Sequence, residues 1–245
     1  MAATTWYEIV LPQVTTLVVI LVGLYLLWLG RGRVGELVHG LGLQQVSAFG
    51  VDVKFAERTA VAAYEKQGLG PPSQDDRRAI RDATAYLAPL AAQSHVLWVD
   101  DNPSNNELER ATLLSWEVDV QAVRTTEEAI RELTDRSQRF DLVISDWSRR
   151  DDGGFDAGLH LLEQIANTDI AHRPRVIFYH GEVGEEELAR RRERASALGA
   201  VGATGSPGEL FRWVLLELAR VAVDEPRPAQ RERWKRAPAA AIPPS

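Results

Sequence analysis

From His95 onward, five short apolar runs recur: HVLWVD (95–100), VDVQAV (118–123), DLVISD (141–146), RVIFYH (175–180) and the weaker AVGAT (200–204). Between them lie amphipathic helical segments of about 12 to 16 residues, which is the spacing of βαβ units. Near-continuous apolar runs, rather than strict alternation, belong to strands covered on both faces. The pattern therefore predicts a doubly wound α/β domain, a five-stranded parallel sheet with helices on both sides. Its final helix is expected from Pro207 to about Ala222, with Leu210, Phe211, Val214, Leu215 and Leu218 at helical spacing.

In such a sheet, ligands bind beyond the carboxyl ends of the strands, where strand order reverses. The first run ends in Asp100 and Asp101 and the third in Asp146, so three carboxylates from two strands are expected to converge. Carboxylates that close repel one another unless a cation sits among them, and a hard-oxygen set suits Mg²⁺. The plainer alternative makes Asp101 or Asn102 a cap for the helix opening at Pro103 and Asp146 a solvated strand end. Three acids at matching strand ends favour the metal site.

Composition closes off other chemistries. The chain has no cysteine, which excludes disulfides, Cys-ligated zinc, iron–sulfur clusters and cysteine nucleophiles. A net charge of −7 argues against a broad basic surface for nucleic acid. Lysine occurs only at Lys54, Lys66 and Lys235.

Residues 9–29 are almost wholly apolar, enough at about 1.5 Å per residue to cross a hydrocarbon core of about 30 Å. A transmembrane anchor over 1–33 is expected, with the lipid bilayer as partner of residues 9–29. Arg31 and Arg33 follow the span and no Lys or Arg precedes it, so the amino terminus is expected outside and the soluble part in the cytoplasm of a single-pass protein. Residues 34–93 read as a juxtamembrane connector. Within it, 46–55 alternates as a half-buried strand that needs a partner strand, preferably from a second copy of the chain. A helix opening at Ser73 is expected to end near Leu87, before Pro89, as a spacer. The main domain is placed at 94–223, followed by a disordered basic Pro- and Ala-rich tail at 224–245.

VLWVDDNPSNNELE, DLVISDW and the strand from Pro174 to His180 resemble a bacterial response-regulator receiver, a CheY-like domain, over about half the chain. The resemblance implies a flavodoxin-like sheet of order 2-1-3-4-5. It also implies Mg²⁺ held by Asp100, Asp101 and Asp146, with Asp146 as phospho-acceptor in a phosphorelay from a histidine kinase. The wider pocket is expected to include Asn102, Trp147, His180 and Ser206.

The chain also departs from that family. Receivers usually end the fourth strand in Ser or Thr and the fifth in Lys-Pro; here His180 and Ser206-Pro207 stand at those places, and residues 94–223 contain no lysine. By analogy Ser206-Pro207 is expected to keep a cis bond. Arg149 and Arg150, in the long loop after Asp146, are expected near enough to lend positive charge. The segment 185–194 reads as a solvated helix, acids before bases.

Three functions follow: a membrane-tethered atypical receiver, a phosphorylation-independent scaffold for a docking protein, or an enzyme like the nucleotide-cleaving Toll/interleukin-receptor domains. For the last, Glu163 is the natural candidate, but its setting reads as the edge of an amphipathic helix and no residue is assigned a catalytic role. The stretch beyond the last helix is too short to fold alone, so a response is expected to pass through a partner or through homo-oligomerisation.

Overall fold

The structure, a computed structural model, describes residues 53–150, 154–181 and 183–236. The apolar span 9–29 and most of the expected strand 46–55 lie outside the described residues. Among the described residues no helix is long and apolar enough to cross a membrane.

Five parallel strands form one sheet: β1 (His95–Val99), β2 (Asp119–Val123), β3 (Leu142–Ser145), β4 (Arg175–Tyr179) and β5 (Gly202–Thr204). Their order is β2-β1-β3-β4-β5, the order that the receiver resemblance implies. The helices are α1 (Val53–Lys66), α2 (Gln74–Ala91), α3 (Glu107–Ser115), α4 (Thr126–Thr134), α5 (Ala157–Asn167), α6 (Glu185–Ala197), α7 (Pro207–Asp224) and α8 (Pro228–Arg236), with a 3₁₀ turn at Pro103–Asn106 leading into α3.

Each strand sends alternate residues to opposite faces. Val96, Trp98, Leu142, Ile144, Ile177 and Tyr179 meet α3 and α7 through Leu113, Trp116, Phe211 and Leu215. Leu97, Val99, Val143, Val176 and Phe178 meet α4, α5 and α6 through Leu133, Leu161, Ile165 and Ala195. Two cores flank the sheet, which explains why the runs read as continuously apolar.

The structure departs from the expected connector in three ways. Val53, Lys54 and Phe55 are helical, because the small residues Ala56, Ala60 and Ala63 form a fully buried face that a strand would split between two sides. Helix α2 opens on a capping box between Ser73 and Asp76 and runs through Pro89 to Ala91. Proline lacks an N–H, but Pro89 and its neighbours Ala88 and Ala91 are buried, and that burial holds the last turn in place. Finally, Phe49–Arg227 is one compact unit, so α1 and α2 are part of the domain. Ile80, Ala88 and Ala91 share a core with the sheet and α7.

Two further expectations are corrected. All described peptide bonds are trans, Ser206-Pro207 included. Part of the expected disordered tail, Pro228–Arg236, is helix α8, which falls in a separate compact unit. Proline at the first helical position is preorganised for a helix, and Gln, Arg, Glu and Lys continue one readily. Arg227, just before it, is anchored by Asp141, which accepts from its Nε at 3.0 Å.

Candidate functional site

The chain leaves β1 for β2 on one side and returns to β3 on the other, so the carboxyl ends of β1 and β3 flank the point where strand order reverses. The ladder continues one residue beyond each strand. Asp100 N–H donates to Val123 O at 3.0 Å, Asp146 N–H to Val99 O at 2.9 Å and His180 N–H to Thr204 O at 3.1 Å. These bonds fix where the three side chains begin.

Oxygens of Asp100, Asp101 and Asp146 lie within 4.8 Å of one another. Asp100 is buried and accepts from Asn102 N–H at 2.7 Å and from Asn106 Nδ2 at 2.5 Å. Asp101 Oδ2 accepts from Arg150 N–H at 2.9 Å, and Asp146 Oδ1 from Trp147 N–H at 2.6 Å. Burial, followed by the repulsion of Asp100, pushes the Asp146 carboxyl up to about 6, against the pull of the Trp147 and Ser148 amides and of Arg149. Burial likewise raises Asp100. Crowded, partly desolvated carboxylates at one point fit a hard divalent cation such as Mg²⁺.

A cavity of about 220 Å³ opens beside them, lined by Lys66, Gln67, Asp100, Asn105, Asn106, Asp146, Tyr179, His180 and Gly181. His180 is 5% exposed, and its Nδ1 lies 2.6 Å from Gly181 O, an arrangement that makes Nδ1–H the donor. Burial holds its pKa below the usual imidazole range, and Nε2 has no partner among the described residues. His180 thus lines the cavity while its Nε2 is buried without a hydrogen-bond partner among the described residues.

The other expected pocket residues stand elsewhere. Asn102 is exposed and binds Ser104 Oγ at 2.6 Å. The Trp147 ring is core, packed on Phe178 at 4.9 Å between centroids, with Arg191 at 5.2 Å over its face. Ser206 caps α7, accepting from Glu209 N–H, and meets Tyr64 Oη at 2.8 Å. A strand-end serine followed by proline makes a helix cap, which turns its hydroxyl away from the acids.

Arg149 is fully buried behind the acids rather than in the cavity. It donates to Ser145 Oγ at 2.7 Å, Asp146 O at 3.0 Å, Thr126 Oγ1 at 2.8 Å and Ala157 O at 2.9 Å. Its charge favours ionisation of both Asp100 and Asp146. Arg150 contributes its amide to Asp101.

Residues 94–223 contain no lysine, yet Lys66 at the end of α1, outside the βα repeat, lines the cavity. Its Nζ donates to Ser104 O at 3.0 Å and Asn105 O at 2.8 Å. Next to it, Gln67 Nε2 donates to Tyr179 Oη, and that hydroxyl donates to buried Glu109 at 2.7 Å. Sequence reasoning missed Lys66, Gln67, Asn106 and Tyr179. A lysine in the last helical turn before Gly and Pro reads simply as a helix end; the only hint was the alanine face of α1, which demands close packing.

No family model matches the sequence, and no curated protein matches it. Among solved structures, a response regulator receiver protein from Pseudomonas putida is 29% identical, with 53% of this chain and 97% of that one covered and a TM-score of 0.41. The non-phosphorylated HemR receiver domain from Leptospira biflexa is 27% identical, over 53% and 94%, with a TM-score of 0.38. A response regulator receiver protein from Burkholderia phymatum is 26% identical, over 51% and 95%, with a TM-score of 0.41.

Proposed function

We propose that this chain is a signalling module with an atypical receiver-like site, in which Asp146 accepts a phosphoryl group with Mg²⁺ held by Asp100, Asp101 and Asp146. The carrying observation is the convergence of three carboxylates within 4.8 Å at the strand-order reversal. In this reading an Asp146 oxygen attacks the phosphorus of a phosphohistidine on a partner kinase. The P–N bond breaks, its electron pair leaves with the imidazole, and an acyl phosphate remains on Asp146. Bound Mg²⁺ would neutralise charge on the phosphoryl oxygens. Arg149 favours the ionised, nucleophilic form of Asp146, and the Trp147 amide orients it. We further propose that residues 9–29 tether the module to the cell membrane, with the domain on the cytoplasmic side.

Among the described residues the cavity lining contains no Ser or Thr hydroxyl to register a phosphoryl group, which favours a second reading, a docking domain independent of phosphorylation. Calorimetric titration of the full chain with Mg²⁺ and then with beryllofluoride, a phosphoryl mimic, separates the two. The receiver reading expects saturable Mg²⁺ binding and Mg²⁺-dependent beryllofluoride binding, the latter lost in Asp146→Asn. Absence of both heats sinks it and leaves the docking domain.

A further inference from the structure

The cavity beside Asp100 and Asp146 has one wall from outside the βα repeat, the carboxyl end of α1. Its charge is unbalanced. Two buried or half-buried carboxylates line it, burial disfavours the charged form of His180, and among the described lining residues Lys66 is the one lysine or arginine. Arg149, the other nearby cation, is enclosed by four hydrogen-bond acceptors behind the Asp146 carbonyl and does not line the cavity. An anion entering beside Asp146 therefore meets a single positive charge on this wall.

We propose that Lys66 is the cationic contact for phosphoryl oxygens seated against Asp146, making α1 a wall of the site that an occupying anion clamps. The inference rests on the receiver reading above. The geometry favours it in two ways. Nζ is held by two neutral carbonyls, Ser104 O and Asn105 O, rather than by a carboxylate, so its charge is not neutralised locally. The end of α1 is also seated on both sides of Lys66, by Tyr64 on Ser206 and by Gln67 on Tyr179, so the exposed Lys66 side chain starts from a fixed point on the cavity lining. A cavity of about 220 Å³ has room for a phosphoryl-sized group and several waters of about 30 Å³ each.

The test compares wild type, Lys66→Ala and Lys66→Arg in the full chain, titrated with Mg²⁺ and then beryllofluoride. Loss of a cation that faces the anion weakens beryllofluoride roughly 10-fold to 100-fold, while Mg²⁺ affinity holds or tightens because one repelling charge is gone. Lys66→Arg restores the anion affinity at least in part. Hydrogen exchange over α1 slows when beryllofluoride binds wild type, and does not in Lys66→Ala. A mere loosening of the Ser104 and Asn105 loop weakens Mg²⁺ and beryllofluoride together, and that result overturns the assignment. Equal beryllofluoride binding by wild type and Lys66→Ala also overturns it and leaves the receiver reading standing. Wild type that binds no beryllofluoride takes down both.

Discussion

Asp146 carries a proton balance that can be read out as stability. Its folded-state value of about 6 stands above the ordinary 3.8, so the folded protein holds that proton more tightly than the unfolded chain. The resulting stability is fully present below about pH 4 and is lost as pH rises through about 6. Asp146→Asn removes the ionisation. Without divalent cation it is expected to stabilise the protein at pH 7 by about 2 kcal/mol, discounted for partial solvent access, and by almost nothing at pH 4. Thermal melts at the two pH values check this; an equal effect at both would be the contrary result. Added Mg²⁺ at pH 7 is expected to raise the melting temperature of wild type and to do so much less for Asp146→Asn. Gly158 makes a second residue-level case. A Cβ there would lie 2.8 Å from both Asp146 O and the Phe178 ring, so Gly158→Ala is expected to cost about 1–3 kcal/mol in urea denaturation and to weaken Mg²⁺ binding. The acids were legible in the sequence because strand-end position and chemistry coincide in them. Lys66 and Tyr179 were not, since only packing decides that a helix end from outside the repeat reaches the same cavity.

At the level of elements, α1 and α2 were the hardest to read. Phe49, Val51, Val53 and Phe55 alternate as a strand would, yet the alanines at positions 56, 60 and 63 set the helical face from Val53 onward. Helix α2 reads as a spacer in the sequence because two of its five buried residues are alanine, which contributes through close approach rather than through area. Two predictions belong here. Ala60→Leu forces extra volume into a fully buried position and is expected to destabilise by about 1–3 kcal/mol. Ser73→Ala removes the capping box of α2 and is expected to cost about 1 kcal/mol. Both are measured by urea denaturation, and a neutral Ala60→Leu would mean that α1 is not seated as described. The strands, in contrast, were legible to within about two residues, most clearly the central β1, β3 and β4, because a strand buried on both faces is written as a short unbroken apolar run.

Over the whole molecule, the parallel sheet in the order β2-β1-β3-β4-β5 fixes where chemistry can sit, and the two cores fix what can move relative to it. The edge of the compact unit is fastened by charge. Asp141, almost fully buried, accepts from His95 N–H at 2.8 Å and pairs with Arg227 at 3.0 Å and Arg139 at 3.3 Å. Arg227→Ala leaves that carboxylate with weaker compensation and is expected to destabilise by about 2 kcal/mol, less than full loss of a buried pair because Arg139 remains.

Helix α1 has 14 residues, a rod about 21 Å long. One end is Lys66, beside the acids; the other is Val53, where the amino-terminal part of the chain joins. Hydrogen-bonded helices are stiff along their axis, so a displacement of a fraction of an ångström at one end arrives at the other nearly undiminished. Val53 and the cavity-lining Lys66 are thereby the two ends of a single rod, and a shift of Val53 along its axis is felt at the cavity wall.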